Sequence, residues 1–267
     1  MRSKRFYKKE SLLVELFLTC GRFCNKMDKI LARTERLTGT EALQRLAEVK
    51  VLLVGVGGVG SWCAESLVRT GVTNLTIADC DHVCASNVNR QLMATTLSIG
   101  QPKVLAMRDR LLAVNPGANI EVRQERFCQE TAQSFNLYGY DYIIDAIDSI
   151  PDKALLILRA LETDAVLYSS MGAALKMDPE RIQVAEFWKA YGCPLAKALR
   201  NHFKKSGQFP QRKFQCVFSD ERLENRDVQG QDDADRGNGT VAYITAMFGL
   251  RLSALLIRDV VGQFVKI

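Results

Sequence analysis

Lys50-Val-Leu-Leu-Val54 runs without a break into Gly55-Val-Gly-Gly-Val-Gly60, and a helical pattern follows through about residue 69. An apolar strand that empties into a glycine-rich turn and then a helix admits few folds, because the turn must bring strand and helix back to back. The same alternation continues downstream. Residues 74–79 (NLTIAD) read as a second strand, 102–114 as a helix, 120–123 as a short strand and 140–147 (YDYIIDAI) as another. Residues 151–161 form a helix with proline in its first turn, and 165–169 (AVLYS) close the series. Strands that alternate with helices and carry continuous apolar runs predict a parallel sheet covered on both faces. Ahead of the first strand, residues 40–46 predict a short amphipathic helix.

The fold class expected is therefore α/β, a doubly wound, Rossmann-like parallel sheet over residues 27–178. A smaller α+β extension over 179–267 follows, where the pattern weakens. There, 181–187 and 214–218 read as strands, 194–205 as a helix, and 207–213 and 225–239 as loops. Residues 240–261 predict a long apolar helix packed on the sheet. The 267 residues are 47% hydrophobic and 25% charged, which excludes a disordered, collagenous or coiled-coil chain. No stretch approaches the run of about 20 apolar residues that a membrane-spanning helix needs. Two histidines argue against a multi-histidine metal site. The eight cysteines include Cys20-x3-Cys24 and Cys80-x3-Cys84 but no C-x-x-C pair, so reduced thiols in a cytoplasmic protein are expected rather than a zinc knuckle or disulfide framework.

Charge is unevenly spread. The excess of 36 Lys/Arg over 30 Asp/Glu sits mostly in residues 1–26, which hold seven cations and two acids. That segment mimics a secretory leader, yet Glu15 interrupts its apolar part and no A-x-A site follows. It reads as a non-native or upstream extension, with the working protein starting near Met27. In the body, seven cations and no acid lie between Trp188 and Ser219, while seven acids and two arginines lie between Asp220 and Asp235. The first run is a candidate polyanion footprint, with Lys197, Arg200, Lys204 and Lys205 as candidate nucleic-acid contacts; the alternative is a solvated helix face.

The glycine turn has a chemical reading. Gly55 permits the tight turn, Gly57 and Gly58 let backbone N–H groups approach phosphate, and Gly60 allows close helix–strand packing. Asp79, at the end of the second strand, stands where an acid takes ribose hydroxyls. That constellation binds NAD(H) or ATP alike. Three further segments favour ATP: Ser86-Asn-Val-Asn-Arg-Gln91, Gly100-Gln-Pro-Lys103 and Asp145-Ala-Ile-Asp-Ser149. All follow neighbouring strands, at the edge where doubly wound sheets bind ligands. An arginine, a lysine and an extra strand-end carboxylate suit a triphosphate: Arg90 and Lys103 neutralise phosphate charge, and Asp148 holds Mg2+.

GVGGVGS, the D-x-D of Asp79 and Asp81, SNVNRQ, GQPK and Asp148 together resemble the ubiquitin-activating-enzyme-like superfamily, whose bacterial members include the ThiF and MoeB adenylyltransferases. The resemblance implies adenylation of a carboxylate, with Gly58 and Asp79 on the nucleotide and Asn87, Arg90, Gln91 and Lys103 along the phosphates. Asp148 would position the metal. Arg33, in RTERLTG, resembles the arginine that reaches into a partner subunit's ATP site, which implies a homodimer. Paired C-x-x-C zinc motifs, usual in the sulfur-carrier activators, are missing. Cys216-Val-Phe-Ser-Asp-Glu221, the late GNGTVAYITAMFG and the Pro194-Leu-Ala-Lys-x-x-Arg200 helix are instead similar to the branch of tRNA threonylcarbamoyladenosine dehydratases. The substrate implied is the threonyl carboxylate on adenosine 37 of tRNA, and Cys216 is expected to be a structural thiol rather than a nucleophile. Activation of the C-terminus of a small sulfur-carrier protein is the alternative function, and a sulfur-transfer protein partner stays open.

Overall fold

The computed structural model describes residues 29–226 and 237–265. The leader-like segment at 1–26, with Cys20 and Cys24, and most of the acidic run after residue 226 lie outside the described residues. Two short helices, α1 (Ala32–Thr38) and α2 (Thr40–Glu48), lead into strand β1 (Lys50–Val54) and helix α3 (Gly60–Thr70). Then come β2 (Asn74–Ala78), α4 (Lys103–Val114), β3 (Asn119–Arg123), β4 (Tyr142–Asp145), α5 (Ile150–Ala160) and β5 (Val166–Ser170). The chain finishes with β6 (Ile182–Glu186), α6 (Pro194–Ser206), β7 (Gln215–Ser219) and α7 (Ala242–Val261).

The seven strands form one sheet in the order β3-β2-β1-β4-β5-β7-β6. Every pairing is parallel except β6 with β7, so the expected parallel sheet ends in one antiparallel edge strand. Because β7 pairs with β5, the C-terminal segment extends the sheet begun by the N-terminal one. β1 and β4 are neighbours, and the chain winds outward from them in opposite directions. That is the switch point of a doubly wound sheet, and its crevice lies at the strands' carboxyl ends.

Strand period divides the core. Val51, Leu53, Leu75, Ile77 and Ile144 pack against α3, α4 and α7 on one face. Leu52, Val54, Ile143 and Leu167 pack against α5, α6 and the phenylalanines 187, 203, 214 and 218 on the other. Both sets are buried, which is why these strands read as unbroken apolar runs. The long helix α7 packs against α3 as well as the sheet. A Cβ on Gly249 would stand 2.4 Å from the Val59 carbonyl oxygen, and Ser253 Oγ donates to Ser66 Oγ at 2.8 Å. No described helix is long and apolar enough to cross a membrane, and the six described cysteines are free thiols.

Candidate active site

The turn after β1 is closed by backbone geometry that side chains would block. Gly55 has φ 95°, and a Cβ there would lie 2.6 Å from the Ala146 carbonyl oxygen. On Gly60 it would lie 1.8 Å from the Gly55 carbonyl oxygen, and on Gly58 3.2 Å from Thr245 and 3.3 Å from Arg90 Cγ. Gly57 is the open member, with Gln91 Nε2 at 4.0 Å. α3 starts at Gly60 with no side-chain cap; Ser61 N donates to the Gly57 carbonyl oxygen at 3.1 Å, and the N–H groups of residues 57–60 remain available to an anion.

Asp79 is tied into this turn: its Oδ2 accepts from Val56 N at 2.7 Å and its Oδ1 from Asp81 N at 2.9 Å. Lys103 opens α4, 6% exposed, with Nζ 2.7 Å from Asp81 Oδ2 and 4.0 Å from Asp79 Oδ1. Burial raises the Asp79 carboxyl above its usual range and outweighs the nearby ammonium. The hydrogen bond from Lys103 holds the more exposed Asp81 below it. Sequence reasoning gave Asp81 no separate role; here it anchors the lysine.

The segment holding Arg90 is stapled from two sides. Trp62 Nε1 donates to the Arg90 carbonyl oxygen at 3.2 Å, and Leu92 N donates to Ser61 Oγ at 3.1 Å, both from α3. Asn89 Nδ2 donates to the Thr240 carbonyl oxygen at 3.2 Å, just ahead of α7. Asn87 is buried and accepts from Cys84 N, which fixes the local turn. The Arg90 guanidinium donates to the Ser86 carbonyl oxygen and Asn89 Oδ1. Gln91 is 6% exposed, and its Oε1 has no hydrogen-bond partner among the described residues. A buried orphan acceptor beside a phosphate-type turn marks where a ligand's donor or a water completes the site.

Below the exposed Asp148 lies a buried ion pair. Asp145 and Lys153 are both 0% exposed and 2.7 Å apart. Ser169 Oγ and Ile147 N donate to the Asp145 carboxylate at 2.6 and 3.1 Å, and Lys153 Nζ donates to the Ile147 carbonyl oxygen at 2.8 Å. This network grips residues 145–147, of which Ala146 and Ile147 lie against Gly55, and so sets the backbone from which Asp148 projects. Asp148 forms no ion pair among the described residues, whereas Asp79 and Asp81 already share Lys103. A hard divalent cation takes carboxylate and phosphate oxygens, so Asp148 is the uncommitted acid that fits it. The Lys153 clamp had no signal in the spacing of the motifs; a lysine in the first turn after a strand-end acid is its only trace.

The turn thus gathers the segments carrying Asp79, Asn87, Arg90, Gln91, Lys103 and Asp148. Arg33 is elsewhere. It is exposed on α1, and the neighbouring Leu31 lies 3.6 Å from where a Cβ on Gly71 would stand, beyond the last turn of α3. The glycine turn is at the other end of that 11-residue helix, about 15 Å away. On α6, Lys197, Lys204 and Lys205 are exposed, while Arg200 donates to the carbonyl oxygens of Phe187 and Ala190 at 3.2 and 2.8 Å. Cys216 is fully buried, and burial pushes its thiol up to about 12, which suits a structural thiol.

The ThiF family model matches residues 31–264. The chain belongs to the ThiF family. Among curated relatives of this ThiF-family chain, the tRNA threonylcarbamoyladenosine dehydratase of Bacillus subtilis is 37% identical over 238 residues, 85% of this chain and 93% of that one. Among solved structures, the Escherichia coli tRNA N6-threonylcarbamoyladenosine dehydratase in complex with ATP aligns with a TM-score of 0.78 at 33% identity, over 87% of this chain and 94% of that one. The sulfur carrier protein adenylyltransferase of Thermus thermophilus is 36% identical, but over 118 residues, 44% of this chain and 43% of that one.

Proposed function

We propose that this ThiF-family protein is an ATP-dependent tRNA threonylcarbamoyladenosine dehydratase. The observation that carries the reading is the convergence of Arg90, Lys103 and the Asp148 loop on an uncapped helix start at the β1–β4 switch point, in a chain similar to such dehydratases over most of its length. The similarity to dehydratases over most of the chain favours this over sulfur-carrier activation; the Thermus thermophilus sulfur carrier protein adenylyltransferase matches less than half of it.

A carboxylate is a poor electrophile because it is charged. One of its oxygens attacks the α-phosphorus of ATP, an O–P bond forms, and the bond to the β-phosphate oxygen breaks, releasing pyrophosphate. The barrier is mainly repulsion between two anions, so the site supplies cations and position. Arg90 swings from the Ser86 carbonyl to phosphate oxygens, Lys103 adds positive charge beside the ribose end, and the N–H groups of 57–60 receive the phosphates. Asp79 accepts from the ribose hydroxyls. When bound through Asp148, Mg2+ neutralises charge on the phosphate oxygens. The threonylcarbamoyl group's own nitrogen or oxygen then attacks the activated carbonyl carbon, loses its proton and expels AMP, which carries the oxygen away. The net change is an ATP-driven dehydration, and the internal nucleophile makes a catalytic cysteine unnecessary.

In this reading Arg33 completes the site of a second subunit in a cytoplasmic homodimer, since its own turn lies at the far end of α3. Residues 27–178 carry the nucleotide chemistry, and the 179–267 extension carries the tRNA contacts, with Lys197, Lys204 and Lys205 on phosphates. Arg200 serves there by fixing α6. The test is incubation with ATP, Mg2+ and bulk tRNA followed by mass analysis of nucleosides. Loss of one water from threonylcarbamoyladenosine is the expected product; AMP release without change in the nucleoside, or dependence on a carrier protein ending in Gly-Gly, overturns the reading.

A further inference from the structure

Phosphate contacts leave part of the basic surface unexplained. Trp188 and Phe209 are large apolar side chains, 38% and 51% exposed, with ring centroids 6.3 Å apart. Trp188 also lies against Phe187 at 5.1 Å and Phe203 at 6.4 Å, so its ring rests on a fixed aromatic floor. Phe187 in turn stacks on Phe214 at 5.0 Å, and the Arg200 guanidinium lies 5.7 Å from its ring centre. Arg212 anchors the loop bearing Phe209, donating to the carbonyl oxygens of Leu161, Thr163 and Ala165. Both arginines of the run are therefore spent on rigidity. The remaining cations, Lys189, Lys197, Lys204, Lys205 and Lys213, are exposed, and no acid lies between Trp188 and Ser219; the acid beside the rings is Glu186, whose carboxylate accepts from Trp188 N at 3.2 Å.

We infer that Trp188 and Phe209 form a stacking platform for unpaired bases of RNA, ringed by lysines that hold the adjoining phosphates. Exposed aromatic faces held rigid in a positive field are the device by which proteins bind single-stranded nucleic acid, since every base offers a π-face. Neither a solvated helix face nor a purely electrostatic duplex site has a use for two aromatic rings in water. The platform also has a place relative to the chemistry. α6 starts beside Gly172, just past the carboxyl end of β5, and runs 13 residues to the opposite edge of the sheet, about 20 Å. RNA whose target base enters the switch-point crevice would reach the platform only with nucleotides several positions away in the same single-stranded loop, because the platform lies at the other edge of the sheet. The inference rests on the tRNA reading and deepens it: the recognised feature is an unpaired loop, not a helix.

The test measures binding of two RNAs to the full chain across a salt series: a hairpin with a seven-nucleotide loop and a fully paired duplex of equal phosphate number. Phe209→Ala and Trp188→Ala are expected to weaken hairpin binding roughly fivefold to a hundredfold each while leaving the slope against salt intact. Duplex binding should stay level, and Phe209→Tyr and Trp188→Tyr should restore the hairpin affinity. Lys204→Glu with Lys205→Glu should instead flatten the salt slope for both RNAs. A thermal melt accompanies each variant, and Phe209→Leu, which keeps apolar bulk on the half-exposed loop, separates stacking from folding. If wild-type protein prefers the hairpin but Phe209→Ala and Phe209→Leu bind it equally well, the platform is wrong while the tRNA reading stands. If the wild type binds neither RNA, the tRNA reading itself fails.

Discussion

Single residues carry the sharpest consequences at the glycine turn. A methyl group on Gly60 has no room beside the Gly55 carbonyl oxygen, which is backbone and cannot rotate away. Gly60→Ala should destabilise the protein by about 1–3 kcal/mol or more and weaken ATP binding, seen as a lower melting temperature and a smaller shift on adding ATP. Gly57→Ala, with nothing nearer than 4.0 Å, should melt close to the wild type. At Asp148 the effect is chemical: Asp148→Asn should keep the melting temperature and lose on the order of a hundredfold in turnover, measured as AMP release with tRNA. Thiol reactivity separates the cysteines. The Cys216 thiol, raised to about 12, has less thiolate at neutral pH than an ordinary cysteine, and the thiolate fraction grows only as pH approaches that value. Alkylation at pH 8 followed by peptide mass analysis should label the exposed Cys80 and Cys84 and leave Cys216 until the chain unfolds.

Elements place these residues, and the β4–α5 unit does so through charge. Lys153 lies in the first turns of α5 and neutralises Asp145 at the end of β4, with neither in contact with water. Removing one partner strands the other as a buried charge, a loss of about 3–5 kcal/mol. Lys153→Met should therefore lower the denaturant midpoint strongly, and Lys153→Met with Asp145→Leu should recover part of it. A fully additive double mutant would show that the pair is not coupled. Most elements are legible in the chain. The apolar run of β1, the turn glycines and Pro151 at the start of α5 are local signals, because backbone conformation and strand burial act over a few residues. The Asp145–Lys153 pair and the approach of α7 to α3 at Gly249 are less so. They depend on which buried neighbour meets which, and spacing along the chain does not encode that.

The whole molecule decides what the site is near. Arg33 sits at one end of α3 and the nucleotide turn at the other, so under the homodimer reading one protomer's arginine serves its partner. Mixing Arg33→Ala chains with Asp148→Ala chains should restore ATP-dependent activity in mixed dimers, each inactive alone; no recovery after exchange of subunits would show that Arg33 does not serve the partner's site. The same scale explains the basic run. In the sequence Arg200 and Lys204 are equivalent cations, yet folding spends Arg200 on two backbone carbonyls and leaves Lys204 to solvent. By itself the chain's local chemistry determined the alternating strands and helices, the phosphate-type turn and the residue types around it, because turns, strand burial and helix starts are short-range effects. Only the tertiary structure decided which charges are neutralised inside and which stay free, that the last two strands join the first sheet, and that the rings of Trp188 and Phe209 meet. Those outcomes depend on distances between residues far apart in the chain, and packing fixes them only once the sheet is assembled.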